Sequence, residues 1–427
     1  MKSSLANARL VFLIIGFLGI TSCGSDEAAN SVSIEFVSAD PSSLSLQGTG
    51  GAGKSETSTV QFRVKDPQGV ILEGQIVNME LSTQVGGISL NPATGFTDVN
   101  GLINTVVQSG SVATPVRIIA SIPGTDISTQ SDLLAIGSGV PDQNSASISS
   151  ERNNPESFGI DGVAVTFTMR LADIFNNPVP AGTSVSFTTE GGSIDSNCLT
   201  DDEGACSVIW RSQDPRPPAI GGDGAGVTTI MATALGQESF TDNNGNGIFD
   251  QGDSFDDIGE AFRDDNGNDS YDVGEFFVDL NANNIFDGPD GLYNGSACKA
   301  DFNLCSSQKN IHIRSSKRIV MSTSFGIITL SNSNINVSGG AQTIRATVED
   351  ANNNSMPGGT TISVSVTNGR IQNEDVIPTT ISELSLSPTS FDIIVGTDGT
   401  SSSDGNLNIK LTSPNGFETI RSVAVTD

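Results

Sequence analysis

Leu171-Ala-Asp173-Ile-Phe-Asn176-Asn-Pro178-Val179-Pro180-Ala-Gly182-Thr183-Ser-Val185-Ser-Phe187 is the stretch on which the fold turns. An alternating apolar run, Val165-Phe167-Met169-Leu171, leads into Asp173, a turn of Asn and Pro follows, and a second alternating run, Val185-Phe187, leaves toward Gly191-Gly192. Alternation with period two marks a strand with one buried face, and Asn, Asp, Pro and Gly are the residues that turn a chain between strands.

The same order recurs on both sides. Upstream, Val60-Phe62-Val64 ends at Asp66 and Val77-Met79-Leu81 precedes Gly86-Gly87; downstream, Ile344-Ala346-Val348 ends at Asp350 and Ile362-Val364-Val366 precedes Gly369. A Thr-Asp turn closed by glycine comes next, Thr97-Asp98 to Gly101 and Thr200-Asp201 to Gly204, with Asp404-Gly405 as the weaker counterpart in the third copy. The following strands read Ile103-Thr105-Val107, Cys206-Val208-Trp210 and Leu407-Ile409-Leu411, and a further strand runs to Ala120, Ala232 or Ala424. Self-similarity of this kind marks tandem modules.

About seven short strands per module of roughly 100 residues, with no helical pattern, point to an all-β protein of two-sheet sandwiches in tandem. The order of motifs resembles bacterial Ig-like domains of the invasin and intimin type, which implies tandem Ig-like β-sandwiches with a structural or adhesive role at the cell surface. The modules fall at 31–137, 146–322 and 323–427, with Ser138 to Asn144 as the first linker. The third departs from the pattern: its middle is longer, from Val376 to Val395, and the chain stops after the strand that aligns with the penultimate one. Either the extra segment fills the vacant edge or a strand is absent.

One segment breaks the alternation. Residues 238–290 hold 15 Asp or Glu against one Arg, a net of −14, in three in-phase copies of one pattern that begin at Phe240, Phe262 and Phe277. Counting the first Asp as position 1, the copies place Asp242, Asp264 and Asp279 there, Asn244, Asn266 and Asn281 at position 3, and Asn246, Asn268 and Asn283 at position 5. Asp250, Asp272 and Asp287 stand at position 9, Asp253, Glu275 and Asp290 at position 12, and an aromatic residue at position 8. A hard cation takes six to eight oxygens at about 2.3–2.6 Å, and a tight loop with oxygen-bearing side chains at alternate positions can wrap one.

This is the ligand spacing of a calcium loop. It resembles EF-hand and dockerin loops, and still more the aspartate-rich calcium repeats of thrombospondin-type surface proteins. Three residues separate Glu275 from Asp279, so no pair of flanking helices fits, and the expectation is a helix-poor spacer stapled by calcium. Gly247 holds position 6 in the first copy, whereas Asp269 and Asn284 replace it in the others, which predicts weaker sites or a turn shifted to position 4. The insertion, at about 238–308, is expected to project from one end of the second module, where it braces the third or presents a surface. Without cations it should repel itself and disorder.

The start of the chain carries an address. Lys2 and Arg9 precede an apolar run from Leu10 to Ile20, too short to span a bilayer comfortably, so residues 1–22 read as a signal peptide and 23–30 as a polar tether. Ile20-Thr21-Ser22-Cys23 resembles the bacterial lipobox, which implies lipidation of Cys23 and, with Gly24 and Ser25 following, the outer membrane. The formal charge of −29 makes nucleic acid and anionic lipid headgroups poor partners.

Of five cysteines, four remain after Cys23, in two near-neighbour couples, Cys198 with Cys206 and Cys298 with Cys305. Export permits disulfides, and the short spacing favours pairing within each couple over the two other connectivities. A zinc site is disfavoured, since the spacing is wrong for one and His312 is the sole histidine.

Nothing assembles into catalytic machinery. No nucleophile and base can be built around His312, no phosphate-cradling loop opens a helix, and Trp210, in phase with Cys206 and Val208, reads as core. Arg211 and Arg216 stand out on an acidic chain, facing either its own carboxylates or a partner. The reading is therefore a non-enzymatic, lipid-anchored envelope protein, structural or adhesive, whose insert calcium orders. It would meet the membrane through its lipid and a protein or glycan at its surface. The alternative is a carbohydrate-binding or accessory subunit of an envelope polysaccharide-processing or surface assembly.

Overall fold

In a computed structural model, residues 32–47, 55–220, 224–299, 301–399 and 404–426 are described. The expected signal peptide (1–22), the expected tether (23–30) and the expected lipidation site Cys23 lie outside the described residues. The rest is all-β, in paired sheets.

In the second module the sheet Ala146–Ser150, Ala164–Leu171, Ala205–Arg211 and Ser193–Ile194 packs on the sheet Asn197–Leu199, Ser184–Thr189, Val227–Gly236 and Ile311–Val320. Phe167, Met169, Val185, Ile230 and Ile313 fill the space between, each side chain worth about 1.5–3 kcal/mol of burial. Trp210 lies in this core with its indole N–H satisfied by the Gly191 carbonyl at 2.8 Å. The first and third modules repeat the two four-stranded sheets, and the first adds a small mixed sheet of Ser43–Ser45, Leu134–Gly137 and Thr114–Val116.

The strand-ending aspartates have a physical reason. Asp66, Asp173 and Asp350 each use Oδ1 to accept two backbone N–H groups of the following turn, those of Gln68 and Val70, Phe175 and Asn177, and Asn352 and Asn354. In the second and third modules Oδ2 also takes an N–H from the incoming linker, Ser138 at 2.7 Å and Thr323 at 2.8 Å. The turn residue is thus a joint as well. A further joint is made by Glu156, buried between the modules, whose carboxylate accepts from the Ser413 hydroxyl and the Asn415 N–H of the third module.

The third module differs from its sequence reading. Thr389–Gly396, holding Phe391-Ile393-Val395, pairs with Gln342–Asp350 as Ala205–Arg211 pairs with Ala164–Leu171. It is therefore the counterpart of Cys206-Val208-Trp210, while Leu407-Ile409-Leu411 corresponds to Val227–Gly236 and the final strand Glu418–Thr426 to Ile311–Val320. No strand is missing among the described residues; the alignment was one strand out of step, because alternation says which face is buried and not which neighbour is paired. The chain around Thr379 to Ile381 runs beside the edge strand Thr361–Val366 and caps it, and residues 382–384 dock on Asn153 and Asn154 of the second module.

The insert leaves the second module at Gly236 and the chain returns at Ile311, directly opposite in register. It does not project. It folds back over the outer face of the sheet, so that residues 228–234 are buried on both sides, with Thr229, Met231 and Thr233 covered along with Ile230 and Ala232, while Leu235 stays exposed. Arg314 pins it there, its guanidinium 3.5 Å above the Phe262 ring and hydrogen-bonded to the Phe262 carbonyl. The first loop leans toward the first module, across a crevice of about 170 Å³ lined by Leu46, Val112, Phe175, Asp242 and Asn246, and not toward the third.

Candidate metal centre

Two small aromatic cores hold the insert. Phe240, Phe249, Phe255, Tyr293 and Phe302 pack with centroid separations of 4.7 to 5.9 Å, and Phe249 and Tyr293 are fully buried. Phe262, Tyr271, Phe277 and Phe286 form the second, with Tyr271 stacked on Phe286 at 4.1 Å. The position-8 aromatics thus point inward and turn each loop's polar side outward. Cys298 pairs with Cys305 and Cys198 with Cys206. The first of these bridges clips the chain to both sides of the aromatic core, since Cys298 bridges Phe249 and Cys305 bridges Tyr293.

The loops share one hydrogen-bond plan. Asp242 Oδ1 accepts the N–H groups of Gly245 and Asn246, at 2.7 and 3.2 Å, and Oδ2 that of Gly247 at 2.7 Å. Asp264 does the same with Gly267, Asn268 and Asp269, and Asp279 with Asn283 and Asn284. The amides of Asn244 and Asn246 converge on Asp250, those of Asn266 and Asn268 on Asp272, and those of Asn281 and Asn283 on Asp287.

Positions 4 and 6 both adopt left-handed backbone in every copy. Gly245 and Gly247 have φ of 74° and 76°, Gly267 and Asp269 of 74° and 62°, and Ala282 and Asn284 of 60° and 61°. The turn is not shifted where glycine is lacking at position 6. The loop keeps its shape, and Ala282 bears a steric cost of roughly 1 kcal/mol.

Position 12 is where the structure corrects the sequence. Asp253 accepts the N–H groups of Asn243 and Asp250, at positions 2 and 9, and Glu275 those of Asp265 and Asp272. In the third loop the groups at positions 2 and 9 are Leu280 and Asp287, and their acceptor is Glu260, at 2.7 and 3.1 Å. Asp290 is turned away, its own N–H donating to Asp257. The reason is position 11: Gly252 and Gly274 reach φ of 106° and 113°, whereas Pro289 is held near −65° by its ring and cannot bring Asp290 back. Pro289 is the signal by which sequence could have excluded Asp290, and the acidic residue preceding Phe262 the signal for Glu260.

Charge is concentrated and little compensated. Burial raises Asp242, yet the N–H groups of Gly247, Gly245 and Asn246 outweigh it and hold the carboxyl below its usual value. Asp272 is lowered by the Asn266 and Asn268 amides. Burial, with the like charge of Asp265 behind it, pushes Glu190 under the second loop up to about 7. Among the described residues no three carboxylate, imidazole or thiolate groups stand where they could hold a metal ion by themselves, so any donor ring must include asparagine oxygens. Each loop supplies that mixture: rotating a terminal amide exchanges its N–H for its oxygen at the carboxylate where both amides meet. The residues fit an oxygen-seeking cation.

Elsewhere the side chains are accounted for structurally. Arg211 pairs with Asp195 at 2.9 Å and Arg216 with Asp161 and Asp214 at 2.5 and 2.7 Å, so both arginines bind the chain's own carboxylates. His312 is half-buried, and burial lowers its pKa.

No protein-family model matches this chain, and no curated protein does. Among solved structures, the D0-D1 domain of intimin is 19% identical over 47% of this chain and 91% of its own, at a TM-score of 0.24. The Escherichia coli adhesin FdeC is 13% identical over 93% of this chain and 97% of its own, at 0.27, and Drosophila N-cadherin EC1-4 is 9% identical over 93% and 76%, at 0.26. At these identities and TM-scores the site rests on its own residues.

Proposed function

We propose that the insert binds calcium in its three loops and that the protein is a stiff, non-enzymatic spacer or adhesion module of the bacterial envelope, lipid-anchored through Cys23. The observation that carries the metal reading is the threefold repetition of one plan, with a position-1 carboxylate held by backbone N–H groups and two amides converging on the position-9 carboxylate. Asp242, Asn244, Asn246, Asp250 and Asp253 would hold the first ion. The second would sit among Asp264, Asn266, Asn268, Asp272 and Glu275, and the third among Asp279, Asn281, Asn283, Asp287 and Glu260. Bound calcium supplies positive charge to a segment of net −14.

The chain's own part is mechanical. Arg314 and the aromatic cores hold the loops on the second module, and the first loop reaches toward the first module, so ordering it stiffens the rod between these two. The adhesive role follows from the module type that the sequence resembles, and its ligand would be a protein or glycan at the surface.

Limited proteolysis of the full chain with calcium chloride, with magnesium chloride and with chelator tests the metal reading. Calcium, and magnesium only poorly, should protect 240–290 from cleavage; an identical digestion pattern in all three overturns it. Palmitate labelling in cells, lost in Cys23→Ser, tests the anchor.

A further inference from the structure

The acidic residues of the insert follow a pairing rule that leaves one pair over. Four times an acidic residue stands four positions before an aspartate with Phe between them: Glu238-Ser-Phe240-Thr-Asp242, Asp253-Ser-Phe255-Asp-Asp257, Glu260-Ala-Phe262-Arg-Asp264 and Glu275-Phe-Phe277-Val-Asp279. Asp242, Asp264 and Asp279 open the three loops, and Asp253, Glu275 and Glu260 close them. Glu238 and Asp257 remain.

The chain provides these two with a loop in pieces. Asp257 accepts the N–H of Asp290 on Oδ1 at 3.2 Å and that of Gly291 on Oδ2 at 2.7 Å, as Asp242 accepts those of Asn246 and Gly247 at the same two distances. Gly291 has φ of 80°, close to the 76° of Gly247. The N–H of Leu292 donates to Asp290 Oδ1 at 2.8 Å, as that of Ile248 does to Asn246 Oδ1. Tyr293 takes the inward aromatic position, 4.7 Å from Phe249. Glu238 then closes the set, accepting the N–H of Ile258 at 2.8 Å and of Asn294 at 2.7 Å, which are positions 2 and 9. Asp257, Asp290, Asn294 and Glu238 therefore stand where positions 1, 5, 9 and 12 stand in the contiguous loops.

A second observation points to a ligand. Glu238 is fully buried and has no cationic side chain as partner among the described residues, while Asp257 and Asp290 bear on it with like charge. A carboxylate buried among carboxylates is costly until a cation neutralises it.

We propose that Glu238, Asp257, Asp290 and Asn294, brought together from three parts of the insert, form a fourth calcium-type site. It rests on the calcium reading of the three loops. An ion there ties the entry of the insert to its exit. It also reaches the first linker, because Asp256 accepts from the Asn144 amide at 2.6 Å and Ser239 bonds both the Asn144 N–H and Asp142.

The test is native mass spectrometry of the full chain, stripped with chelator and titrated with calcium chloride. Four ions are expected, three in Asp257→Asn and in Asp290→Asn, and two in the double variant Asp279→Asn/Asp290→Asn. A wild type holding three ions, or an Asp279→Asn/Asp290→Asn variant that loses only one ion relative to wild type, overturns the fourth site and leaves the loops standing. A wild type holding none overturns the loops as well. Glu238→Gln, which keeps the shape and one of the two accepting oxygens, should also hold three, and an unchanged circular dichroism spectrum in chelator would show that the loss is not misfolding.

Discussion

Glu260 accepts the backbone N–H of Asp287 at 3.1 Å across 27 residues of chain, and so closes a loop to which it does not belong in sequence. The insert is therefore not a row of independent loops. Its third loop is completed by the residue that opens the approach to its second, and ordering either one constrains the other.

Glu260→Gln should weaken one calcium site by at least about tenfold, because ligand charge sets affinity in such loops. Asp290→Asn should leave that third-loop site unchanged. Isothermal titration of the two variants against wild type separates them; equal loss at the third loop in both would restore Asp290 to it.

Ala282 at φ 60° stands where the other loops have Gly245 and Gly267. Ala282→Gly relieves a steric cost of roughly 1 kcal/mol, partly offset by the added freedom of the unfolded chain. Gly245→Ala, with open space around its missing Cβ, should cost a similar amount through backbone alone. Calcium-dependent melts of the two variants should move in opposite directions.

Glu190 gives the metal-free protein a pH dependence of definite sign. Its folded pKa, raised by burial and by Asp265 to about 7 from the ordinary 4.5, means that the folded state takes up a proton more readily than the unfolded chain. The contribution of Glu190 to stability is thus full below the unfolded value and is lost as pH rises through about 7. Chemical denaturation in chelator at pH 5, 6, 7 and 8 should show this fall, and Glu190→Gln should reduce it, the remainder coming from Glu238, which burial also pushes up to about 7.

Asp173 joins the first linker to the second module through Ser138. Asp173→Ala strands the N–H groups of Ser138, Phe175 and Asn177, at about 1–3 kcal/mol for each that stays buried. The second module should melt earlier, and small-angle scattering should register a wider spread of angles between the first two modules. Asp66→Ala, which has no linker to hold, should change local stability only.

Much of this protein was legible locally. The alternation around Phe62, Phe167 and Ile344 determined an all-β chain of repeated sandwiches, and the Asp and Asn spacing from Asp242 to Asp287 determined where oxygen donors gather. Cysteine spacing favoured the two pairings that the structure has. What only the tertiary structure decided was partnership: which strand lies beside Gln342–Asp350, which acid closes the third loop, and that the insert covers Met231 instead of projecting. Periodicity and spacing report one chain segment at a time, whereas these choices depend on what Pro289 forbids the backbone and on hydrogen bonds and packing between residues far apart in sequence.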